Sequence, residues 1–155
     1  MIECLISGTQ IGADIAGLEA AYYCGIKTGG WATKGFRTTD GPKPEYKDRF
    51  NIRESDKPSY ASRTWKNVKD SDGTVRFATD FSSSGELCTL KAIETFKKPY
   101  FDIDLNENIE LFYNKFHLWI TNNDIRVLNV AGNGNHKIFE TVKHFLIEYL
   151  TEYNR

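Results

Sequence analysis

Two short turns hold the residues of this chain best suited to binding an anion. The first, Ser7-Gly8-Thr9-Gln10, follows the apolar run Cys4-Leu5-Ile6 and precedes Ile11, Ile15, Leu18 and Tyr22 at helical spacing. A strand-to-helix turn of this kind aims backbone N–H groups and a helix dipole at whatever lies above the strand end, which favours phosphate. The second turn, Ser82-Ser83-Ser84-Gly85, also stands ahead of a helix. Two such helix N-termini at one sheet edge would clamp a nucleotide or sugar phosphate. "NVAGNGN", Asn129 to Asn135, adds a third flexible turn that carries Gly132 and Asn133. None of these is a known phosphate fingerprint. No G-K-[ST] follows the first turn, and Gly8, Gly12 and Gly17 do not match G-x-G-x-x-G.

Carboxylates lie close to both turns in sequence. Asp14 and Glu86, with Asp70 and Asp72, are the available acid–base groups, and a carboxyl of raised pKa in a dry cleft can act as a general acid. Arg63, Asn67 and Asp70 stand at i, i+4 and i+7, so one helical face presents a cation, an amide and a carboxylate. That face reads equally as a ligand contact or as a structural ion-pair network. In "GGWATKGFRTTDG" (29–41), Trp31 is placed to stack on a base or to pin the loop to the core, and Lys34 or Arg37 to neutralise a phosphate. His117, His136 and His144 form no ligand-spaced cluster, so no metal site is expected. A Ser-His-Asp machine has no nucleophile elbow to start from.

The elements that must position these residues alternate. Strands are predicted at 2–6, 74–79, 99–104 and 125–132. Helices are predicted at about 10–24, 59–69, 86–97, 108–121 and 137–153, with Ser59 as an N-cap. Residues 27–58 read as one long polar loop, a kind of segment that is usually functional or flexible. Short apolar strands alternating with helices predict an α/β fold, a mostly parallel sheet with helices on both faces. Ligands in such folds bind at the carboxyl ends of the strands, where the strand order switches.

Composition narrows the partners. The 155 residues fit one domain, with 40% hydrophobic and 26% charged residues, and the formal net charge is −1. Nothing there attracts nucleic acid. Three cysteines, Cys4, Cys24 and Cys88, are far apart and read as reduced thiols, with Cys4 and Cys88, in apolar segments, most simply buried. No leader precedes Ser7 and no apolar run reaches membrane-span length, so a cytoplasmic protein with no membrane partner is expected. The 14% aromatic content leaves room for an apolar interface between copies.

The blocks "SGTQIGADIAGLEAA", "GGWATKGFRTTDGP", "SYASRTWKNVKDSDGT", "SGELCTLKAI", "KPYFDID" and "IRVLNVAG" together resemble the putative molybdenum carrier proteins. That family is the circularly permuted, YpsA-like branch of the SLOG superfamily of Rossmann-like domains. The resemblance covers nearly the whole chain in the same order. It implies a single doubly wound, Rossmann-like domain that binds a nucleotide or nucleotide-derived ligand and forms homo-oligomers. Relatives include phosphoribohydrolases and sensors of signalling nucleotides, some tied to antiviral defence. The chain keeps the family's Gln10, Gly12 and Asp14 but lacks its second glycine, threonine and arginine. Ser84-Gly85-Glu86 replaces a G-G-T turn, and Asn133-Gly134-Asn135 replaces an arginine and a serine. If Gly85 aligns with the last glycine of the hydrolase turn, Thr89 stands where those relatives carry a catalytic glutamate. The expectation is therefore a binding protein for an ADP-ribose-type or cyclic nucleotide, contacting it through Ser7 to Gln10, Ser83 to Glu86, Asn129, Gly132 and Asn133. A Lys-, Asn-, Tyr- and Phe-rich stand-alone domain also fits a viral sponge for a host immune signal, acting in the host cytoplasm. A hydrolase of N-glycosidic or phosphoester bonds, and a molybdenum cofactor carrier, are the alternatives.

Overall fold

A computed structural model describes residues 1–154. Five parallel strands form the main sheet in the order β2-β1-β7-β5-β6. They are β1 (Cys4–Ser7), β2 (Lys27–Gly29), β5 (Gly73–Ala78), β6 (Tyr100–Asp104) and β7 (Val127–Gly132). The intervening β3 (Trp31–Ala32) and β4 (Arg53–Glu54) pair with each other as a separate parallel ribbon. Six helices follow the chain: α1 (Ala13–Tyr23), α2 (Tyr46–Arg49), α3 (Tyr60–Asp70), α4 (Ser84–Phe96), α5 (Tyr113–Asn122) and α6 (Phe139–Tyr153). Together they form the expected doubly wound α/β fold. No helix among the described residues is long and apolar enough to cross a membrane.

Helix α1 leads from β1 outward to β2, and α4 leads from β5 outward to β6 in the opposite direction. Right-handed crossovers in opposite directions place their helices on opposite faces. Accordingly α1, α5 and α6 share one large apolar core, while α3 and α4 enclose a small one of Val68, Ala92 and Ile93. Strand β5 is buried at all six positions and divides its side chains between the two faces. Val75 and Phe77 enter the large core. On the other side Thr74 accepts from Asn129 Nδ2 of β7 at 3.1 Å, and Arg76 forms a bidentate pair with Asp102 of β6 at 2.7 and 2.6 Å.

The segment at 27–58 is more ordered than its composition suggests. It supplies edge strand β2, the β3–β4 ribbon and the short α2. Strand β2 is only Lys-Thr-Gly, with no apolar run to mark it. Burial of Phe50 and Ile52 anchors the segment to the core, and Thr28 Oγ1 donates to the Phe50 carbonyl at 2.9 Å. Helix α3 begins after Ser59, whose hydroxyl accepts from Ser62 N–H at 3.2 Å. Helix α4 starts at Ser84, two residues before the start read from periodicity.

Phe116 is fully buried, with Tyr149, Phe145 and Phe101 rings at 4.8, 5.6 and 5.8 Å. Phe116→Ala is expected to cost about 3–5 kcal/mol in urea denaturation. Leu118→Ala, on the same helix but 57% exposed, should stay within about 0.5 kcal/mol.

Candidate functional site

The polar face of the sheet opens into a cleft of about 590 Å³ at the carboxyl ends of the central strands. Its walls come from the turns after β1, β5 and β7, from the start of α4 and from the face of α3 that runs from Tyr60 to Asn67. This is the switch point, where α1 and α4 depart in opposite directions. Gly8, Gly85 and Gly132 all line it, so the three turns do converge on one hollow.

The glycines there serve different ends. A Cβ on Gly8 would meet Arg63 Nη1 at 1.7 Å, so the bare backbone lets Arg63 cross to Asp14. A Cβ on Gly132, at φ +147°, would meet the Phe77 carbonyl at 2.0 Å. Only Gly85 differs. Nothing among the described residues lies within 4 Å of a Cβ built there.

The two helix N-termini are likewise unequal. The α1 end is filled by the chain itself. Ala13 N–H donates to the Asn133 carbonyl at 3.2 Å, and Gln10 N–H donates to Asp14 Oδ2 at 3.2 Å. A Cβ on Gly12 would run into the Asn133 and Asn135 backbone. The α4 end is open. Its cap residue Ser83 makes no side-chain bond to the helix backbone, and Ser84 and Gly85 are exposed on the cleft wall. The clamp of two N-termini expected from sequence is thus one open terminus facing one that is plugged.

Around that opening the charges are fixed by neighbours. Asp14, 5% exposed, accepts from Arg63 Nη1 at 2.9 Å. Burial pushes its carboxyl up; Arg63 and the Gln10 N–H pull it down less strongly, and the nearby charge of Glu86 adds to the rise. Glu86, 4% exposed, accepts from Ser83 Oγ at 2.5 Å and Asn133 Nδ2 at 2.9 Å. Asn133 Oδ1 accepts from Thr79 N–H at 2.8 Å, so one amide ties the β5 turn to the β7 turn. Arg76 Nη1 donates to the Glu86 carbonyl at 3.0 Å and holds the first turn of α4 against the sheet.

Gln10, Asn67, Asn129, Ser83 and Ser84 also line the cleft. Asn67 nevertheless spends both polar ends on Trp31, accepting from its N–H at 2.8 Å and donating to its carbonyl at 3.1 Å. Seven residues named from sequence stand off the wall, Arg37 among them. Ser7 and Thr9 are sealed beneath it, and the Ser7 hydroxyl has no partner. Lys34 is exposed elsewhere. Trp31 donates to Asp70 Oδ2 at 2.9 Å and lies against Arg53 and Lys66, with cation-to-ring distances of 4.2 and 4.4 Å. That contact pins the ribbon to α3 and takes Asp70 with it. Asp72 also lies apart, accepting from the Arg126 and Val127 N–H groups at the start of β7.

Sequence reasoning passed over Tyr60, Thr64 and Thr39. Tyr60, 38% exposed, stands at the cleft with the Arg37 and Arg63 guanidiniums 5.5 and 5.6 Å from its ring. Tyr60, Arg63, Thr64 and Asn67 stand at i, i+3, i+4 and i+7, so the stripe that faces the cleft begins one turn before the Arg63–Asn67–Asp70 face. Thr39 reaches the cleft from the tight turn Thr38–Gly41, which is held at the rim by His136 Nε2 and Asp40 Oδ2, 2.8 Å apart. Among the described residues no group of three or more His, Cys, Asp or Glu side chains is arranged to hold a metal ion.

Asp14's folded carboxyl pKa lies above its unfolded value of about 3.9. The stability linked to its protonation is therefore fully present below that value and is lost as pH rises through the folded pKa. Arg63→Gln removes the compensating cation and raises the folded pKa further. The variant should be less stable by roughly 3 kcal/mol at pH 7, and its deficit should shrink as pH falls toward 4. Urea unfolding at both pH values checks this; a deficit that does not change with pH would contradict it.

Comparison with known proteins agrees with the fold and with the motifs. Residues 5–150 match the family model described as the circularly permutated YpsA SLOG family. The chain is similar to a crystal structure described as a putative molybdenum carrier protein from Syntrophus aciditrophicus SB. The two share 35% sequence identity and a TM-score of 0.87 over 96% of this chain and 94% of that one. No match is found among curated proteins. A match across nearly the whole length, together with a superposable fold, places this chain in the circularly permutated YpsA SLOG family.

Proposed function

We propose that the cleft captures a nucleotide-derived small molecule, of the ADP-ribose or cyclic nucleotide type, and holds it without turning it over. The observation that carries this reading is Gly85. It sits bare in the first turn of a 13-residue helix whose N-terminus, worth roughly half a positive charge, opens into the cleft. Tyr60 at the same cleft offers an exposed ring for a base. Retention is favoured because both nearby carboxylates are held by donors: Asp14 by Arg63 and Gln10, Glu86 by Ser83 and Asn133. Capture without turnover is what a protein needs to deplete a signalling nucleotide, including a host immune signal.

One observation favours hydrolysis instead. Burial raises the Asp14 carboxyl, as a general acid for an N-glycosidic or phosphoester bond requires. The name of the Syntrophus relative offers carriage of molybdenum as a third reading. Mass spectrometry of small molecules released on denaturing the purified protein separates the three. An intact nucleotide derivative supports capture. A free base or ribose phosphate points to hydrolysis, and molybdenum with its cofactor to carriage. An empty protein that binds no ADP-ribose derivative or cyclic nucleotide in calorimetry would overturn the proposal.

Gly85→Asp is a direct test of the anion seat. The new side chain meets open space, and an acidic residue in the first turn suits the helix dipole, so the fold should persist. Affinity for whichever nucleotide the wild type retains should fall about 10- to 100-fold, the loss of one charge-assisted contact. Unchanged affinity would place the phosphate elsewhere.

A further inference from the structure

Asp14 and Glu86 each spend one carboxylate oxygen on the protein and leave the other uncommitted. Asp14 Oδ2 accepts from Arg63 and Gln10, and Glu86 Oε2 accepts from Ser83 and Asn133. Among the described residues nothing donates to Asp14 Oδ1 or Glu86 Oε1, yet neither atom is sealed from solvent. The buried polar atoms without partners are Ser7 Oγ and Arg63 Nε. Asp14 and Glu86 both line the cleft. The two side chains are themselves almost entirely buried, and their positions are fixed by the donors on their other oxygens.

As carboxylates these oxygens are acceptors, so the ligand group that meets them is a donor. A second phosphate there would face two carboxylates offset by a single guanidinium already paired to Asp14. An ammonium would sit beside the positive end of α4, in whose first turn Glu86 lies. A neutral hydroxyl suffers from neither. Two adjacent hydroxyls, one for each oxygen, satisfy the arrangement, and a sugar carrying a phosphate brings its anion toward Gly85 at the same time.

We propose that Asp14 and Glu86 read the ribose of the ligand, their free oxygens accepting from a vicinal diol while the attached phosphate rests at the α4 N-terminus. The cleft then selects ribonucleotides over deoxyribonucleotides. This inference rests on the nucleotide-binding reading, and the test keeps the two apart.

The probes are AMP and 2′,3′-dideoxy-AMP, titrated into the 15N-labelled full chain and followed by amide shifts, Gly85 among them. Wild type should bind AMP at least tenfold more tightly than the dideoxy analogue. Glu86→Gln, which keeps an acceptor for Ser83 and Asn133, should narrow that ratio to threefold or less, with Asp14→Asn as a second variant should the first fail to fold. Equal affinities in the wild type, with Gly85 shifting, would overturn the diol reading and leave nucleotide binding standing. A ratio that survives both substitutions would also overturn it. No shift with either compound would count against both readings.

Discussion

One face of the sheet cannot be closed by hydrophobic burial, and much of the molecule follows from that. Strands β5 and β7 send Val75, Phe77, Leu128 and Val130 into a large core shared with α1, α5 and α6. They send Thr74, Arg76 and Asn129 the other way, and each of these is buried. Buried polar groups must be hydrogen-bonded, so that face is organised by pairing: Asn129 with Thr74, and Arg76 with Asp102. Helices α3 and α4 have only a small apolar seam to share, and a hollow is left where the seam ends.

The same pairing decides which helix end stays available. Arg76 reaches past the sheet to the Glu86 carbonyl, while Asn133 joins the turns after β5 and β7 and donates to the Glu86 side chain. The first turn of α4 is thereby held in place with Ser84 and Gly85 facing outward. At α1 the chain folds over its own N-terminus, and Asp14 turns to Arg63 across the bare backbone of Gly8. The two ends look alike in sequence but have different partners. One is a structural joint and the other an opening.

Membership of the circularly permutated YpsA SLOG family agrees with this arrangement without dictating its details. In this chain Ser83 and Asn133 both donate to Glu86, a carboxylate beside the open helix end. The charge of the cleft is therefore mixed. It suits a ligand that carries both an anion and hydroxyl donors better than a bare anion.

Much of this was legible in the linear sequence. Apolar periodicity marked four of the five sheet strands and five of the six helices within a few residues, because each buries a face large enough to leave a pattern. The positions of Gly8, Gly85, Asp14 and Glu86 near strand ends followed from the same reading. Strand β2 escaped it, since three residues at a sheet edge draw their order from neighbours rather than from their own composition. Partner choice escaped it as well. Trp31, Asn67 and Asp70 have the chemistry of ligand contacts, yet spend it on one another, and Tyr60 reaches the cleft only once α3 is packed beside it. Residue type and spacing set what each side chain can bond; only the packed chain settles which partner lies within 3 Å, because hydrogen bonds fall off over distances far shorter than sequence spacing can specify.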